Sequence, residues 1–194
     1  AIFVTSLAAL EWLRGDRPEL IDSCVQAAGL SLGEYTALVA AKAIALDDAV
    51  RVVHCRGRYM QAAVAEGAGT MAAIIGCAPD VVAAVCSEVA GELNRVVSPA
   101  NYNSPQQTVI AGHAEAVEEV GKRVAERGAK RVVALEVSAP FHCSLMAPAA
   151  DRLRSDLDKI QFSEASPPVI TNVEAAPNTN PSRIAGLLEE QVTA

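Results

Sequence analysis

The sequence has few of the residues that mark several large classes of site. Only three histidines and five cysteines occur in 194 residues, and no two cysteines have the Cys-x-x-Cys spacing. The cysteines are scattered and odd in number, which favours neither a structural zinc site nor a disulfide framework. Metal-ligand clusters, P-loops and dinucleotide fingerprints are also absent. Reduced thiols are the simplest interpretation, so we expect a cytoplasmic protein without a bound metal.

Long apolar runs and an excess of basic residues are lacking as well. The longest apolar stretch, residues 37–46, is interrupted by Lys42 and is too short to span a bilayer. The formal net charge of −7 argues against a broad phosphate-binding face. A local basic pocket for one small anion remains open, but we expect neither nucleic acid nor a membrane as a partner.

Aromatic residues make up only 4% of the chain, whereas about half of it is apolar and led by alanine and valine, enough for a core of helices against a sheet. The length fits one ordinary domain, or one domain with a smaller insert. The first residues lack an initiator methionine and the basic start of a signal peptide, and the last ones trail off at a helix end. We therefore expect a fragment of a longer protein.

The pattern of apolar residues predicts helices that alternate with strands. A helix ending near Gly15, a loop over 14–23 and a short buried strand over 24–28 come first. Helices over about 32–43 and 47–65 follow, and the chain ends with a helix over 148–160, a strand over 168–173 and a helix over 182–192.

Between residues 68 and 137 the predicted order is strand, helix, strand, strand, helix, strand. This βαββαβ pattern is typical of a ferredoxin-like unit. We expect it to form a small inserted subdomain, which leaves residues 1–67 and 138–194 for a large catalytic subdomain.

The segment Gly29-Leu30-Ser31-Leu32-Gly33 lies between a predicted strand and a predicted helix. Gly-x-Ser-x-Gly in this context is the nucleophile-elbow pattern, in which the serine occupies a strained turn at a helix N-terminus. Backbone N–H groups there can stabilise an oxyanion, and the N–H of Leu32 is one such donor. The alternative is a pair of ordinary turn glycines with Ser31 as a helix cap, but the strand–turn–helix context favours the elbow.

A nucleophilic serine needs a base, and three histidines are available. His54 is predicted to be a partly exposed helical residue, and His113 lies at a strand-to-helix junction where a structural role is expected. His142 lies in a proline-containing loop directly after the last strand of the predicted insert. We therefore take His142 as the candidate base.

Arg56 is in phase with the apolar face of its predicted helix, although an unpaired buried guanidinium is costly. The other members of that stripe are Ala49, Val53 and Met60. A planar guanidinium suits a carboxylate, which an acyl group could supply. The alternative is an ion pair with a protein acid such as Glu34 or Asp48.

Five stretches, in this order, together resemble the malonyl-CoA:acyl carrier protein transacylases of fatty-acid synthesis. They are residues 29–38, 55–61, 69–76, 101–112 and 138–142. The resemblance implies an α/β-hydrolase-like large subdomain carrying the ferredoxin-like insert, an α/β fold that is incomplete at both ends here.

The resemblance also implies the roles of individual residues. Ser31 would carry the acyl group and His142 would act as general base and then acid, while Arg56 would hold the malonyl carboxylate. The N–H of Leu32 matches an oxyanion donor, and Gln191 matches a glutamine whose backbone carbonyl orients the histidine. Phe141 resembles the malonyl-preferring version of its loop, and Asn103 is placed among the substrate-binding residues.

Two departures from the family pattern stand out. Leu30 replaces the usual histidine before the serine, which changes local polarity but not the base. The N-terminal Gly-Gln-Gly element, whose glutamine supplies the second oxyanion donor in the family, and the closing C-terminal elements are not in this sequence. Since losing one such donor costs about a hundred- to a thousandfold in rate, the fragment is expected to be weakly active or inactive.

The resemblance implies a ping-pong transfer of malonyl from malonyl-CoA to the phosphopantetheine thiol of acyl carrier protein, with no bound cofactor. One alternative is a serine esterase or thioesterase with the same elbow. A polyketide-synthase-type acyltransferase domain and a non-catalytic, carrier-binding module are the others.

Overall fold

The structure is a computed structural model that describes residues 1–194. Its helices are α1 (Ile2–Asp16), α2 (Pro18–Asp22), α3 (Leu32–Ala40), α4 (Leu46–Ala62), α5 (Pro79–Leu93), α6 (Ala114–Glu126), α7 (Ala147–Leu157) and α8 (Pro181–Glu190), with a 3₁₀ turn at Ser144–Met146. Its strands are β1 (Ala27–Ala28), β2 (Gly69–Ile75), β3 (Val97–Ser104), β4 (Gln107–His113), β5 (Arg131–Ala134), β6 (Val169–Ile170) and β7 (Pro177–Asn178). None of the helices combines the length and apolar character needed to cross a membrane.

The chain divides into two compact units. One comprises residues 1–56 and 153–191, and the other comprises residues 57–152 and 192–194. The predicted insert, 68–137, falls within the second unit, whose bounds are wider.

The second unit contains a four-stranded antiparallel sheet in the order β3-β4-β2-β5. Strand β2 is central and pairs along its whole length with β4, from Gly69 opposite His113 to Ile75 opposite Gln107. Because side chains alternate along a strand, β2 contributes to two separate cores. Ala72 and Ile74 belong to the cluster formed with α5 and α6. The opposite face belongs to a cluster with Cys143 and Phe141.

The first unit contains a three-stranded sheet in the order β1-β6-β7. Strands β1 and β6 are parallel, with Ala27 opposite Val169 and Ala28 opposite Ile170. The carboxyl ends of parallel strands meet at one edge of a sheet. The turn after β1, residues 29–31, and the turn after β6, residues 171–176, are therefore brought together.

The structure differs from the predicted elements in several places, and the strand predicted over 168–173 is only Val169–Ile170, with the unpredicted β7 following it. Residues 14–23 are not a loop, because α1 continues to Asp16 and α2 covers Pro18–Asp22. Proline at the first helical position is compatible with a helix, so Pro18 begins α2 instead of marking a loop. The strand predicted over 24–28 is only two residues long, and β3 continues through the predicted turn at 101–105 as far as Ser104, with irregular pairing to β4.

Candidate active site

Ser31 lies in a strained turn between β1 and α3. Its φ of 53° and ψ of −106° are unusual for a residue with a side chain, and such conformations cost about 1–3 kcal/mol. A Cβ added at Gly29 would lie 2.2 Å from the carbonyl carbon and oxygen of Gly33, so only glycine fits at residue 29. A Cβ at Gly33 would meet nothing within 4 Å, so space requires only the first of the two motif glycines.

Asn172, in the turn after β6, ties the two sides of this turn together. Its Oδ1 accepts the backbone N–H of Ser31 at 2.6 Å, and its Nδ2 donates to the carbonyl oxygen of Gly29 at 2.7 Å. The amide side chain therefore bridges the residue before the elbow and the nucleophile itself. Asn172 was not identified from the sequence.

Glu34, on the first turn of α3, is almost completely buried below the serine. Its Oε2 accepts the N–H of Asn172 at 3.2 Å and Nε2–H of Gln191 at 2.7 Å. Burial raises the pKa of the Glu34 carboxyl above its usual value, while these two hydrogen bonds and the charge of Arg56 oppose the shift.

Gln191, directly after α8, is buried with its side chain at the centre of the site. Its Nε2 donates to Glu34 and also to the carbonyl oxygen of Ser31 at 3.1 Å, and this orientation turns its Oε1 toward Arg56. That oxygen accepts a hydrogen bond from Nη2 of Arg56 at 2.9 Å. Glu34 thus fixes which way the Gln191 amide points. The predicted role of the Gln191 backbone carbonyl stays a prediction.

Arg56 lies on α4 with 7% of its surface exposed, as its phase with the apolar stripe predicts. Its Nη2 donates to Oγ of Ser31 at 2.8 Å, and its carbon Cζ lies 5.6 Å from the ring centre of Tyr35. Its buried Nε has no hydrogen-bond partner. Burial lowers the pKa of this guanidinium, although arginine remains charged at neutral pH.

Arg56 forms no direct ion pair with Asp48 or Glu34, the two acids that the sequence suggested, although its charge and that of Glu34 attract each other. Asp48 pairs with Arg51 at 3.4 Å, and the Glu34 carboxylate is hydrogen-bonded to Gln191 and Asn172. The guanidinium is therefore a buried cation with a spare donor, located at the nucleophile.

The three histidines have different surroundings. His142 is buried in the loop after β5, has a positive φ of 58° and precedes the 3₁₀ turn. It belongs to the second compact unit, whereas Ser31 belongs to the first. His113 accepts the N–H of Val96 through its Nδ1 at 3.0 Å, which supports the structural interpretation, and His54 is exposed on α4. The role of His142 as base stays a prediction.

The sequence matches the acyl transferase domain family over residues 2–191. The chain belongs to this family. It is 52% identical over 165 residues to the malonyl CoA-acyl carrier protein transacylase of Escherichia coli (strain K12), a match covering 85% of this chain and 53% of the relative. The acyl transferase domain therefore spans about half the length of the curated relatives that it matches.

Solved structures resemble this acyl transferase domain along its whole length. An acyl carrier protein S-malonyltransferase from Vibrio cholerae is 41% identical, with a TM-score of 0.93 over 100% of this chain and 62% of the other. A malonyl-transacylase in complex with a type II PKS acyl-carrier protein has the same identity and TM-score over 100% of this chain and 61% of the other. These matches confirm an α/β fold.

Four further residues were singled out from the sequence: Leu32, Phe141, Asn103 and Leu30. Leu32 begins α3, where N–H groups have no partner within the helix. Phe141 is half-buried against the cluster that contains Cys143, and Asn103 is exposed near the end of β3. Leu30, in place of the expected histidine, is 61% exposed. The substrate-binding roles of Phe141 and Asn103 stay predictions.

The acyl transferase domain contains no group of three or more histidine, cysteine, aspartate or glutamate residues that could hold a metal ion. Sequence reasoning missed Asn172, and it considered Glu34 only as an ion-pair partner of Arg56. Glu34 had a signal: it is three and four residues before Ala37 and Leu38, in phase with the buried face of α3.

Proposed function

We propose that this acyl transferase domain transfers a malonyl group from malonyl-CoA to the phosphopantetheine thiol of an acyl carrier protein, through a malonyl ester of Ser31. One observation carries the proposal: a buried arginine with an unpartnered Nε donates through Nη2 to the serine hydroxyl at 2.8 Å. The names of the relatives, including the Escherichia coli malonyl CoA-acyl carrier protein transacylase, support it.

Arg56 supports malonyl in particular because of where its charge lies. A malonyl group has its carboxylate one methylene away from the carbonyl that the serine attacks. The guanidinium reaches the serine oxygen directly, so it remains within reach of that carboxylate when the group is esterified to Ser31. Arginine binds carboxylates through two parallel hydrogen bonds, and a neutral acetyl group would leave the buried charge unpaired.

The proposed reaction has two half-reactions. In the first, Oγ of Ser31 attacks the thioester carbonyl, its proton passes to His142, and the C–S bond breaks as CoA leaves with that proton. In the second, the phosphopantetheine thiol gives its proton to His142 and attacks the ester carbonyl, and Ser31 leaves with the proton restored. The N–H of Leu32 stabilises the oxyanion in both steps, as donors at a helix N-terminus can. No metal or bound cofactor has a part in this sequence.

We propose an α/β-hydrolase-like large subdomain and a ferredoxin-like small subdomain for the architecture. The support for the small subdomain is the strand order β3-β4-β2-β5 with α5 and α6 packed on the sheet. The support for the large one is the parallel pair β1–β6, with the nucleophile turn following β1.

The proposed partner is an acyl carrier protein, supported by the solved malonyl-transacylase in complex with such a protein. That complex comes from a type II PKS, so a polyketide carrier and a fatty-acid carrier are both within the proposal.

The nucleophile is tested by intact-mass spectrometry after incubation with malonyl-CoA. A malonyl adduct is expected in the wild type and not in Ser31→Ala. An adduct that survives this substitution would redirect the assignment to a cysteine, and release of free malonate without transfer to the carrier would indicate a thioesterase.

The arginine is tested by comparing Arg56→Ala with Arg51→Ala, an exposed arginine on the same helix. Arg56→Ala should depress malonyl loading while sparing acetyl loading, and Arg51→Ala should change neither. If Arg56→Ala loses malonyl loading and acetyl loading equally, Arg56 does not bind the malonyl carboxylate.

A further inference from the structure

Three hydrogen bonds meet at Asn172, and all of them go to the nucleophile turn or to the helix behind it. The side chain accepts the N–H of Ser31 and donates to the carbonyl of Gly29, while the backbone N–H of Asn172 donates to Glu34. At 2.6 Å and 2.7 Å the two side-chain bonds are shorter than the turn's internal backbone bonds of 2.8 Å and 3.2 Å. An amide is suited to this position because it presents one acceptor and one donor side by side.

The turn needs such a support because its backbone conformation is unfavourable. Ser31 has a positive φ. The turn also makes two internal hydrogen bonds, in which the N–H of Gly33 donates to the carbonyl of Leu30 and the N–H of Glu34 donates to the carbonyl of Ser31. Neither of these bonds involves the N–H of Ser31. Asn172 comes from a different part of the sheet and fixes the peptide group of the serine from outside. Strained residues persist where the surrounding structure over-determines them.

We propose that Asn172 is a positioning residue for the acylation of Ser31. It does not touch the acyl group but orients the Ser31 backbone, so that Oγ faces the Arg56 guanidinium and the Leu32 N–H faces the oxyanion. Because Asn172 binds the N–H of Ser31, that N–H does not donate to the oxyanion. The N–H of the next residue, Leu32, then donates to the oxyanion instead. The kinetic part of this inference rests on the proposed function.

Two substitutions separate the donor and the acceptor of this side chain. Asn172→Leu keeps a similar volume and removes both groups. It should lower kcat for malonyl transfer by about ten- to a hundredfold, with KM within about twofold, since a displaced catalytic group costs that much. Asn172→Asp keeps the acceptor for Ser31 but, when ionised, cannot donate to Gly29. Its activity relative to the wild type should rise as the pH falls, because the protonated carboxyl can donate again.

The pH at which this recovery occurs is also set by the structure. The charged groups nearest in the hydrogen-bond network are Glu34, which accepts the Asn172 N–H, and Arg56, which donates to Ser31 and to Gln191. The negative charge of Glu34 disfavours ionisation of the introduced acid and the positive charge of Arg56 favours it, and the recovery should follow the protonation of that acid as the pH falls.

Asn178→Leu is the matched control. Asn178 is another asparagine of the first unit, buried where Asn172 is partly buried, and its side chain bonds only the backbone of Asn180, at 3.2 Å. This variant should lose stability and keep the wild-type kcat. If Asn172→Leu has the wild-type kcat, or loses no more than Asn178→Leu does, the proposal is wrong.

A second readout does not depend on activity. Hydrogen exchange of the Ser31 amide, followed by NMR, should be slow in the wild type and in Asn172→Asp, and at least about tenfold faster in Asn172→Leu. If the wild type transfers no malonyl group, the proposed function fails, and this exchange rate alone decides the role of Asn172. An unchanged exchange rate in Asn172→Leu would overturn it.

Discussion

Gln191→Glu replaces an amide by a carboxylate of the same size beside the buried arginine. In the wild type, Oε1 of Gln191 accepts from Arg56 at 2.9 Å, and Nε2 donates to Glu34 at 2.7 Å. The substitution gives Arg56 an acid partner inside the protein and places two carboxyl groups within contact. We expect it to depress the transfer of malonyl more than that of neutral acyl groups.

The magnitude follows from the strength of the new contact. A hydrogen bond to a charged group contributes about 1.5–3 kcal/mol. The carboxylate of malonyl-CoA must share or displace the contact between Arg56 and the introduced carboxylate. A free-energy cost of about 1.4 kcal/mol corresponds to a tenfold change in affinity or rate. The kcat/KM for malonyl-CoA should therefore fall by about 10- to 150-fold. Acetyl transfer, which does not use the guanidinium, should fall only through the lost bond from Nε2 to the Ser31 carbonyl, by about fivefold.

The pH dependence gives a second signature. The introduced carboxyl and Glu34 repel each other when both are ionised, so the pair retains its first proton to a higher pH than either acid would alone, and it then still carries one negative charge to offset Arg56. At lower pH the pair gains its second proton and Arg56 is free again. The ratio of malonyl to acetyl kcat/KM, relative to the wild type, should thus rise as the pH falls.

The assay is steady-state transfer from malonyl-CoA and acetyl-CoA to the same carrier protein, over a range of pH. Gln161→Glu, an exposed glutamine of the first unit, is the control for the added charge. The ratio of kcat/KM for malonyl-CoA to kcat/KM for acetyl-CoA is compared between variants. If this ratio is unchanged in Gln191→Glu, or changes equally in Gln161→Glu, a carboxylate at residue 191 does not compete with the substrate for Arg56.

Three further predictions concern stability and are checked by urea denaturation. Gly29→Ala should destabilise the protein by at least about 2 kcal/mol because the added Cβ meets the Gly33 backbone. Gly33→Ala, which places a Cβ in open space on α3, should stabilise the protein by up to about 1 kcal/mol. Equal effects of the two substitutions would contradict the close approach of residue 29 to the Gly33 backbone. Because burial raises the pKa of Glu34 from its ordinary 4.5, its contribution to stability is present below that pH and lost as the pH rises through the raised value. The wild type should therefore lose stability relative to Glu34→Gln over that interval, and parallel pH profiles would refute it. Asn180→Ala should cost about 1 kcal/mol, since Asn180 caps α8 by accepting the N–H of Ser182 at 3.0 Å, and a loss below about 0.3 kcal/mol would contradict the cap.

The parts of the site that could be predicted from sequence are those whose signal is local. The nucleophile turn has a short motif, and its glycine spacing reflects one steric contact between residues four apart. Arg56 was predicted to be buried because its position on α4 repeats with the apolar residues of the same helix. In both cases neighbours along the chain determine the environment.

The parts that could not be predicted depend on contacts between distant segments. Asn172 lies 141 residues after Ser31, in a turn after a strand of only two residues, so no periodicity marks it. The side chain of Gln191 was missed for the same reason, because the resemblance pointed to its backbone carbonyl. The helix α2 was missed because a proline was interpreted as a loop signal, although it begins the helix.

The distances along the chain within the Ser31 network also impose an order of assembly during synthesis. Ser31 is made early, but Asn172 and Gln191, which bind its N–H and its carbonyl, follow 141 and 160 residues later. Proteins are synthesised from the N-terminus, so the serine turn is closed only after the last of these segments has been translated and folded back. Until then the N–H of Ser31 lacks its bond to Asn172, and Arg56 lacks its bond to Gln191. A nascent chain that ends before Gln191 therefore has no finished nucleophile, and acylation becomes possible only after residues 172 and 191 have been made and have folded back.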